Sequence, residues 1–262
     1  MVLYFDCFSG ISGNMAIGAM LELGVDFEQL KAQLSKLNIT EEYELIMKKT
    51  EKCGIGGTYF NVKLSHEHSH HHEHEYAHHH AHRGLTDIYK IIDESKLSDE
   101  VKNLSKKIFQ FVADAESKIH NKSFDELHFH EVGAVDSIID IVGNAICLDI
   151  LKPEKILASP TAVGSGFVDC AHGKMPVPAP ATAEIIKQAK IPVYAGQVKS
   201  ELTTPTGAAI LAATVSEFCE LPNTKIDNIA YGAGTRNFDV PNLLRIYSLA
   251  KSSDEAVLKK KA

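Results

Sequence analysis

The chain is predicted to fold as an α/β protein, with one or more mixed sheets, packed helices and a disordered, histidine-rich loop between them. Three observations lead there. Short apolar runs alternate with amphipathic helical stretches along most of the length. Glycine and proline punctuate nearly every junction. Residues 66–82 break the pattern with a tract that has almost nothing to pack into a core. At 262 residues the chain can bury roughly 70–75% of its unfolded surface, enough for a core without disulfide staples.

Residues 2–8, VLYFDCF, read as a short buried strand. Ser9-Gly10-Ile11-Ser12-Gly13 then turns the chain into an apolar helix over 14–23, which Gly24 closes. Asp26 caps a second helix to about residue 37, and 43–52 and 58–64 are strands joined through Cys53-Gly54-Ile55-Gly56-Gly57. After the tract, helices are predicted over 85–95 and 98–119. Ser98 caps the second, which carries Val101, Leu104, Ile108, Phe111, Val112 and Ala115 at helical spacing. Residues 127–131 lead through Gly133 into a helix over 135–151 that Pro153 ends. Residues 154–159 and 161–168 resemble strands, 175–180 is a proline-rich approach to a helix over 181–190, and Val193 begins another strand. Thr203-Thr204-Pro205-Thr206-Gly207 starts a helix expected to reach residue 218. Strands over 226–230 and 243–249 complete the pattern, separated by Tyr231-Gly232-Ala233-Gly234, which opens no helix and so is not read as a dinucleotide-binding turn. The organisation is thus a first α/β segment over 1–64, a metal-binding loop over 65–83, the rest of the α/β domain over 84–250, and a disordered tail or linker over 251–262.

The five cysteines, Cys7, Cys53, Cys147, Cys170 and Cys219, are odd in number and scattered, as expected of reduced thiols in a cytoplasmic protein. The start of the chain has no export signal, and the most apolar stretch, 138–150, is broken by Asp140 and Asp149, so no membrane span is expected. A net charge of −7 argues against general nucleic-acid binding, is compatible with attracting cations, and leaves room for a local basic site.

The tract carries ten of the fourteen histidines: His66, His68, His70, His71, His72, His74, His78, His79, His80 and His82, interspersed with Glu67, Glu73 and Glu75. Imidazole suits nickel, zinc, copper and cobalt, and a run of histidines with carboxylates offers many overlapping ways to assemble four or more ligands. Its internal, irregular, glutamate-rich character separates it from an affinity tag. The competing reading is a solvated low-complexity spacer. The tract alone does not choose among the metals, because flexible residues impose no geometry.

A second candidate site surrounds the helix start at 135. His128 and His130 leave one face of an extended segment, Glu131 leaves the other unless the chain turns, and Asp136 and Asp140 share a face one helical turn apart. Such a set could hold a metal, or the two aspartates could bind a magnesium or manganese ion carrying a nucleotide's phosphates. The plainer reading is a polar cluster satisfying a helix N-terminus. A third candidate is a pair of helix starts. Asp6, Ser9, Gly10, Ser12 and Gly13 in one, and Thr204, Thr206 and Gly207 in the other, offer backbone N–H groups and hydroxyls to an anion. No lysine or GK[ST] pattern makes the first a Walker loop, and tight packing or simple capping explains both equally well.

Taken in order, DCFSGISGNM, HFHEVGAVDSIIDIVG, PVPAPAT, ELTTPTGAAIL and YGAGTRNFDVPNLLRI resemble the LarC family, the nickel-insertion proteins of nickel-pincer cofactor synthesis, across most of residues 2–249. One departure is Asn14, where the resemblance leads us to expect an aspartate. The activity it implies is insertion of nickel into pyridinium-3,5-bisthiocarboxylic acid mononucleotide. A carbon–metal bond forms between two sulfur ligands, CTP is consumed, and lactate racemase receives the product. The resemblance selects nickel among the candidate metals and makes the tract a loading arm. In an enzyme of that kind the residues read above, His128, His130, Glu131, Asp136 and Asp140, are the candidate catalytic cluster. It also implies a C-terminal region, absent from this chain, that binds most of the CTP with its magnesium or manganese. The partners expected are the mononucleotide, that region, lactate racemase and further copies of the chain in a homo-oligomer. A nickel chaperone or store without chemistry of its own is the alternative.

Protonated imidazole cannot ligate a metal and has a reference pKa near ~6.5, so nickel binding to the chain is expected to weaken below about pH 6. Equilibrium dialysis across that range checks it, and a flat titration would point to carboxylate ligands.

Overall fold

The apolar run after Met1 forms β1 (Val2–Asp6), whose alternating side chains divide between two faces of a sheet. The computed structural model describes residues 1–65, 83–121, 124, 135–170 and 173–250. Along the chain the strands are β1, β2 (Tyr43–Lys52), β3 (Ile55–Leu64), β4 (Lys155–Ala158), β5 (Thr161–Ala162), β6 (Phe167–Cys170), β7 (Gly173–Pro176), β8 (Val193–Tyr194), β9 (Glu217–Phe218), β10 (Ile226–Ala233) and β11 (Leu243–Leu249). The helices are α1 (Gly13–Glu22), α2 (Phe27–Leu34), α3 (Leu85–Glu94), α4 (Asp99–His120), α5 (Val135–Leu151), α6 (Pro180–Ala189) and α7 (Pro205–Thr214). The expected α/β class with a mixed sheet is what forms.

One seven-stranded sheet has the order β2-β3-β10-β11-β1-β4-β9. β1 runs parallel to β4 and antiparallel to β11, while β3 runs parallel to β10, so strands from both sides of the histidine tract share one sheet. β5 pairs with β8, and β6 with β7, in two small ribbons beside it. Leu3, Phe5, Leu244 and Ile246 face the helices and join the main core, whereas Tyr4, Leu157, Tyr247 and Leu249 form a smaller cluster on the opposite face.

Helix α1 is buried nearly all round, through Met15, Ala16, Ile17, Gly18, Ala19, Met20 and Leu21, as its uniformly apolar sequence requires. It lies on β3, β10 and β11 and against α5 and α7. Contact with the sheet is backbone to backbone. A Cβ on Gly232 of β10 would sit 1.8 Å from the Met15 carbonyl oxygen, and one on Gly18 would sit 2.5 Å from the Thr58 carbonyl oxygen. Helices α2 and α4 start at side-chain caps: Asp26 accepts from the Gln29 N–H at 2.7 Å and Ser98 from the Val101 N–H at 3.3 Å.

Four elements differ from the sequence reading. The stretch 161–168 is not one strand but two short ones, Thr161–Ala162 and Phe167–Cys170, because Gly164 and Gly166 with positive φ turn the chain between them. Helix α7 ends at Thr214, short of residue 218, because the following segment is captured by the sheet edge. Ser216 N–H donates to Ile156 O and Cys219 N–H to Ala158 O, both at 2.9 Å, which makes β9. Strand β3 begins at Ile55, since Cys53 and Gly54 with positive φ complete a tight hairpin turn directly. Strand β10 continues through Tyr231-Gly232-Ala233, where glycine is dictated by the approach of α1. Among the described residues no helix is long and apolar enough to cross a membrane.

Gly232→Ala is expected to destabilise the protein by up to about 3 kcal/mol, the upper end for overpacking. Gly56→Ala, where a Cβ meets nothing within 4 Å, should change stability by no more than about 0.5 kcal/mol. Urea denaturation of the two variants checks both.

Candidate functional site

The two helix starts singled out in the sequence are stitched to each other. Ile11 N–H donates to Leu202 O at 3.1 Å and Thr204 N–H returns to Ile11 O at 3.1 Å. Gly10, with φ of 77°, puts its open face against Leu202, whose carbonyl oxygen would be 2.0 Å from a Cβ there. Gly207 does the same against Ile11 O, at 2.1 Å. Both glycines are therefore required by the approach of the chain to itself. Ser12 Oγ accepts from the Met15 N–H at 3.4 Å and Thr204 Oγ1 from the Gly207 N–H at 3.1 Å, so each hydroxyl caps its own helix. Thr206 is buried in the first turn of α7, and Ser9 is buried with a hydroxyl that has no hydrogen-bond partner among the described residues.

Helix α5 brings Asp140 to the first residue of α1. A Cβ on Gly13 would lie 2.7 Å from both Cβ and Oδ2 of Asp140, so only glycine lets the two helices meet here. Asn144, one turn later, donates from Nδ2 to Gly13 O at 2.9 Å and to Asp140 O at 2.8 Å, tying α5 to α1. Asp140 Oδ1 is sealed from solvent and has no hydrogen-bond partner among the described residues. Burial pushes the Asp140 carboxyl well above the usual carboxylate range, and the charge of Asp136 adds to the effect. The Asn14 backbone N–H opposes it. Asp136 itself is exposed and accepts the Ser137 N–H at 2.8 Å. The Asn14 side-chain oxygen accepts the Ser12 hydroxyl at 2.5 Å and the Met15 N–H at 3.0 Å, a capping role that needs no carboxylate.

Asp6, at the end of β1, is taken up by Arg245 of β11, its cross-strand neighbour, whose Nε donates to Oδ2 at 3.0 Å. The guanidinium also lies over the rings of Phe8 and Tyr247, with 5.4 and 4.9 Å to the centroids. The Tyr194 hydroxyl donates to Phe8 O at 3.3 Å, and burial pushes the Cys7 thiol up to about 12, so Cys7 packs rather than reacts. Arg245, Asn144 and Tyr194 escaped the sequence reading. For Arg245 the signal is its place in an otherwise apolar strand, LLRIYSL, but its partner is visible only once the register of β1 and β11 is known.

The structure thus brings together Asp6, Ser9, Gly10, Ser12, Gly13, Thr204, Thr206, Gly207 and Asp140 at one end of the sheet, with Asp136 at the start of α5. His128, His130, Glu131 and the ten histidines of 66–82 lie outside the described residues. Among the described residues no group of three or more histidine, cysteine, aspartate or glutamate side chains is placed to hold a metal. What the arrangement offers chemically is a buried carboxyl group that is ionised at a cost, a cost that a cation or a proton would remove.

The folded protein holds the Asp140 proton more tightly than the unfolded chain does. Its contribution to stability is therefore present at low pH and lost as pH rises from the ordinary carboxylate range through the raised folded value. Asp140→Asn keeps the shape and cannot ionise. In the absence of metal it should be more stable than the parent at about pH 7.5, by about 1–3 kcal/mol, with the gap closing toward about pH 4. Urea denaturation across that range measures it.

Comparison with known proteins places this geometry in context. A pyridinium-3,5-bisthiocarboxylic acid mononucleotide nickel insertion protein of Clostridium kluyveri is 53% identical over 256 residues, covering 98% of this chain and 64% of that protein. Proteins of the same description from Clostridium acetobutylicum and Acetivibrio thermocellus are 52% and 50% identical, covering 94% and 93% of this chain. They are themselves covered over 63% and 59% of their lengths, so the chain spans about three-fifths of the curated relatives it matches. No solved structure matches it. The sequence model of the family described as nickel insertion protein matches residues 3–261, and the chain belongs to that family.

Proposed function

We propose that this chain binds nickel and takes part in its insertion into pyridinium-3,5-bisthiocarboxylic acid mononucleotide, as the names of its relatives describe for them. The observation that carries the reading is 53% identity over 98% of the chain to a protein so named. Nickel is the cargo. The histidines of 66–82 collect it by exchange among weak, equivalent sites, and the cluster of His128, His130, Glu131, Asp136 and Asp140 receives it. The sealed, unpartnered Oδ1 of Asp140 supports this reading, because a divalent cation would compensate an ionised oxygen that no described residue compensates. Imidazole with one or two carboxylates suits nickel by ligand type. Asp6, Ser9, Gly10, Ser12, Gly13, Thr204, Thr206 and Gly207 frame the neighbouring helix starts, where backbone N–H groups favour anions.

In this reading the reaction consumes CTP, carried with magnesium or manganese. Most of the nucleotide is bound by the two-fifths of the relatives' length that this chain does not cover. Lactate racemase receives the metallated cofactor, and the insertase assembles as a homo-oligomer in the cytoplasm. A second reading, a nickel chaperone or store without chemistry of its own, is favoured by the concentration of ten histidines in seventeen residues.

Two experiments separate them. Nickel transfer into the mononucleotide is measured with CTP, for this chain alone and with the C-terminal region of a relative added. Transfer by the chain alone supports insertion within these residues, and transfer only with the added region makes the chain the loading half. Replacing His128 and His130 together by alanine should abolish transfer even at saturating nickel, and unchanged transfer would remove them from the site. Deleting 66–82 should eliminate most bound nickel, and unchanged stoichiometry would refute storage in the tract.

A further inference from the structure

The loop after β10 and the loop before α7 enclose a cleft of ≈ 440 Å³ that shares no residue with the candidate nickel cluster. Its volume lies in the ordinary range for small-molecule sites, roughly 300–1,000 Å³. Gln197 and Lys199 line one wall and Asn237, Phe238 and Asp239 the other. The walls are built rather than incidental. Arg236 Nη1 donates to Ser200 Oγ at 2.7 Å and joins one loop to the other, while Ser165 Oγ donates to Val198 O at 3.2 Å. Behind the second wall Lys52, only 8% exposed, donates from Nζ to Arg236 O at 3.0 Å and to Asn237 Oδ1 at 2.6 Å.

Two consequences follow from Lys52. Its ammonium is buried among neutral acceptors and forms no salt bridge among the described residues, so its charge is not cancelled locally. With the carbonyl oxygen of Asn237 occupied, the polar group that Asn237 has left is its NH₂ donor. Lys199 lines the cleft with Asp239, Arg236 bridges its two loops and Lys52 stands behind Asn237, so these residues supply three positive charges to one carboxylate in a chain of net charge −7. Donors and positive charge select an anion with several acceptor oxygens, which is the character of a phosphate group. Asp239 accepts from hydroxyls, the character of a sugar beside that phosphate. The wall at 197–199 lies three residues before Leu202, which is stitched to Ile11 at the helix starts.

We propose that this cleft binds the ribose phosphate end of a pyridinium mononucleotide, with Lys199 and the Asn237 amide on the phosphate, Asp239 on the ribose, and Lys52 as the residue that positions Asn237. The identity of the ring rests on the nickel-insertion reading above, whereas the phosphate assignment rests on the cleft.

The test is calorimetric titration of the full chain, free of nickel and CTP, with nicotinamide mononucleotide, a pyridinium mononucleotide that lacks the thiocarboxylates. One-site binding is expected, weakened about tenfold or more by Lys199→Ala and by removing the phosphate from the probe. Lys199 and Asp239 are exposed, so Lys199→Ala and Asp239→Asn are expected to fold, and circular dichroism checks them. Lys52→Met should weaken the mononucleotide while leaving nickel binding unchanged. Absence of saturable binding, or equal affinity in the parent, Lys199→Ala and Asp239→Asn, overturns the proposal. Tighter binding of CTP than of the mononucleotide, with the same sensitivity to Lys199→Ala, also overturns it by assigning the cleft to the triphosphate. Because no nickel is present, failure of nickel transfer leaves these results standing, and failure of the titrations leaves the nickel reading standing.

Discussion

With Gly232 placed where any side chain would strike the Met15 carbonyl oxygen, α1 lies directly on β10, closer than ordinary helix-on-sheet packing allows. That approach sets the positions of the other elements at this end of the sheet. Because α1 is sunk into the sheet, Gly13 can meet Asp140 of α5, and Gly10 and Ile11 can be laced to Leu202, Thr204 and Gly207 at the start of α7. Three helix starts converge on the carboxyl end of β1 through contacts that admit no side chain on the glycines. Packing of this kind is stiff, since the atoms that would have to move are backbone.

Polar groups caught in that convergence divide into two kinds. Asp6 is taken up by Arg245 and the Asn144 Nδ2 by two backbone carbonyls, while Asn144 Oδ1 has no hydrogen-bond partner among the described residues. Asp140 is held in place with one oxygen lacking a partner among the described residues, and Ser9 lies buried nearby in the same condition. Buried polar groups in native proteins are normally paired, so such exceptions call for an explanation, and a bound cation or substrate is one kind. The same end of the sheet is also unevenly charged. The 197–200 and 236–240 loops carry Lys199 and Arg236, with Lys52 of β2 behind them, while α5 presents Asp136 and Asp140.

Much of the architecture was legible in the residues alone. The apolar run 2–8, the capped helices at Asp26 and Ser98, the helix over 135–151 and the strand over 243–249 carry their own local signals, namely period, cap and breaker. Elements without such signals were misread at their ends. Residues 215–218, VSEF, hold no glycine or proline to stop α7, and only the edge of β4 makes Glu217–Phe218 a strand. Among the site residues, Asp136 and Asp140 were found through helical spacing, and the glycines through their position after strands. What those glycines face was not legible, because a glycine needed for an anion and one needed for a neighbouring carbonyl look alike in a sequence.

By itself the sequence determined the α/β class, the composition and place of the histidine tract, and, through its long ordered motifs, the family. These depend on residue type and local spacing, which survive without knowledge of the fold. The tertiary structure alone decided that Asp6 is paired with Arg245, that half-buried Asp140 packs on Gly13 with one sealed oxygen lacking a partner among the described residues, and that Lys52 lies behind Asn237 across 185 residues of chain. The physical reason is that burial and pairing are properties of two surfaces brought together. Strand register and the depth to which α1 sinks into the sheet decide which surfaces meet.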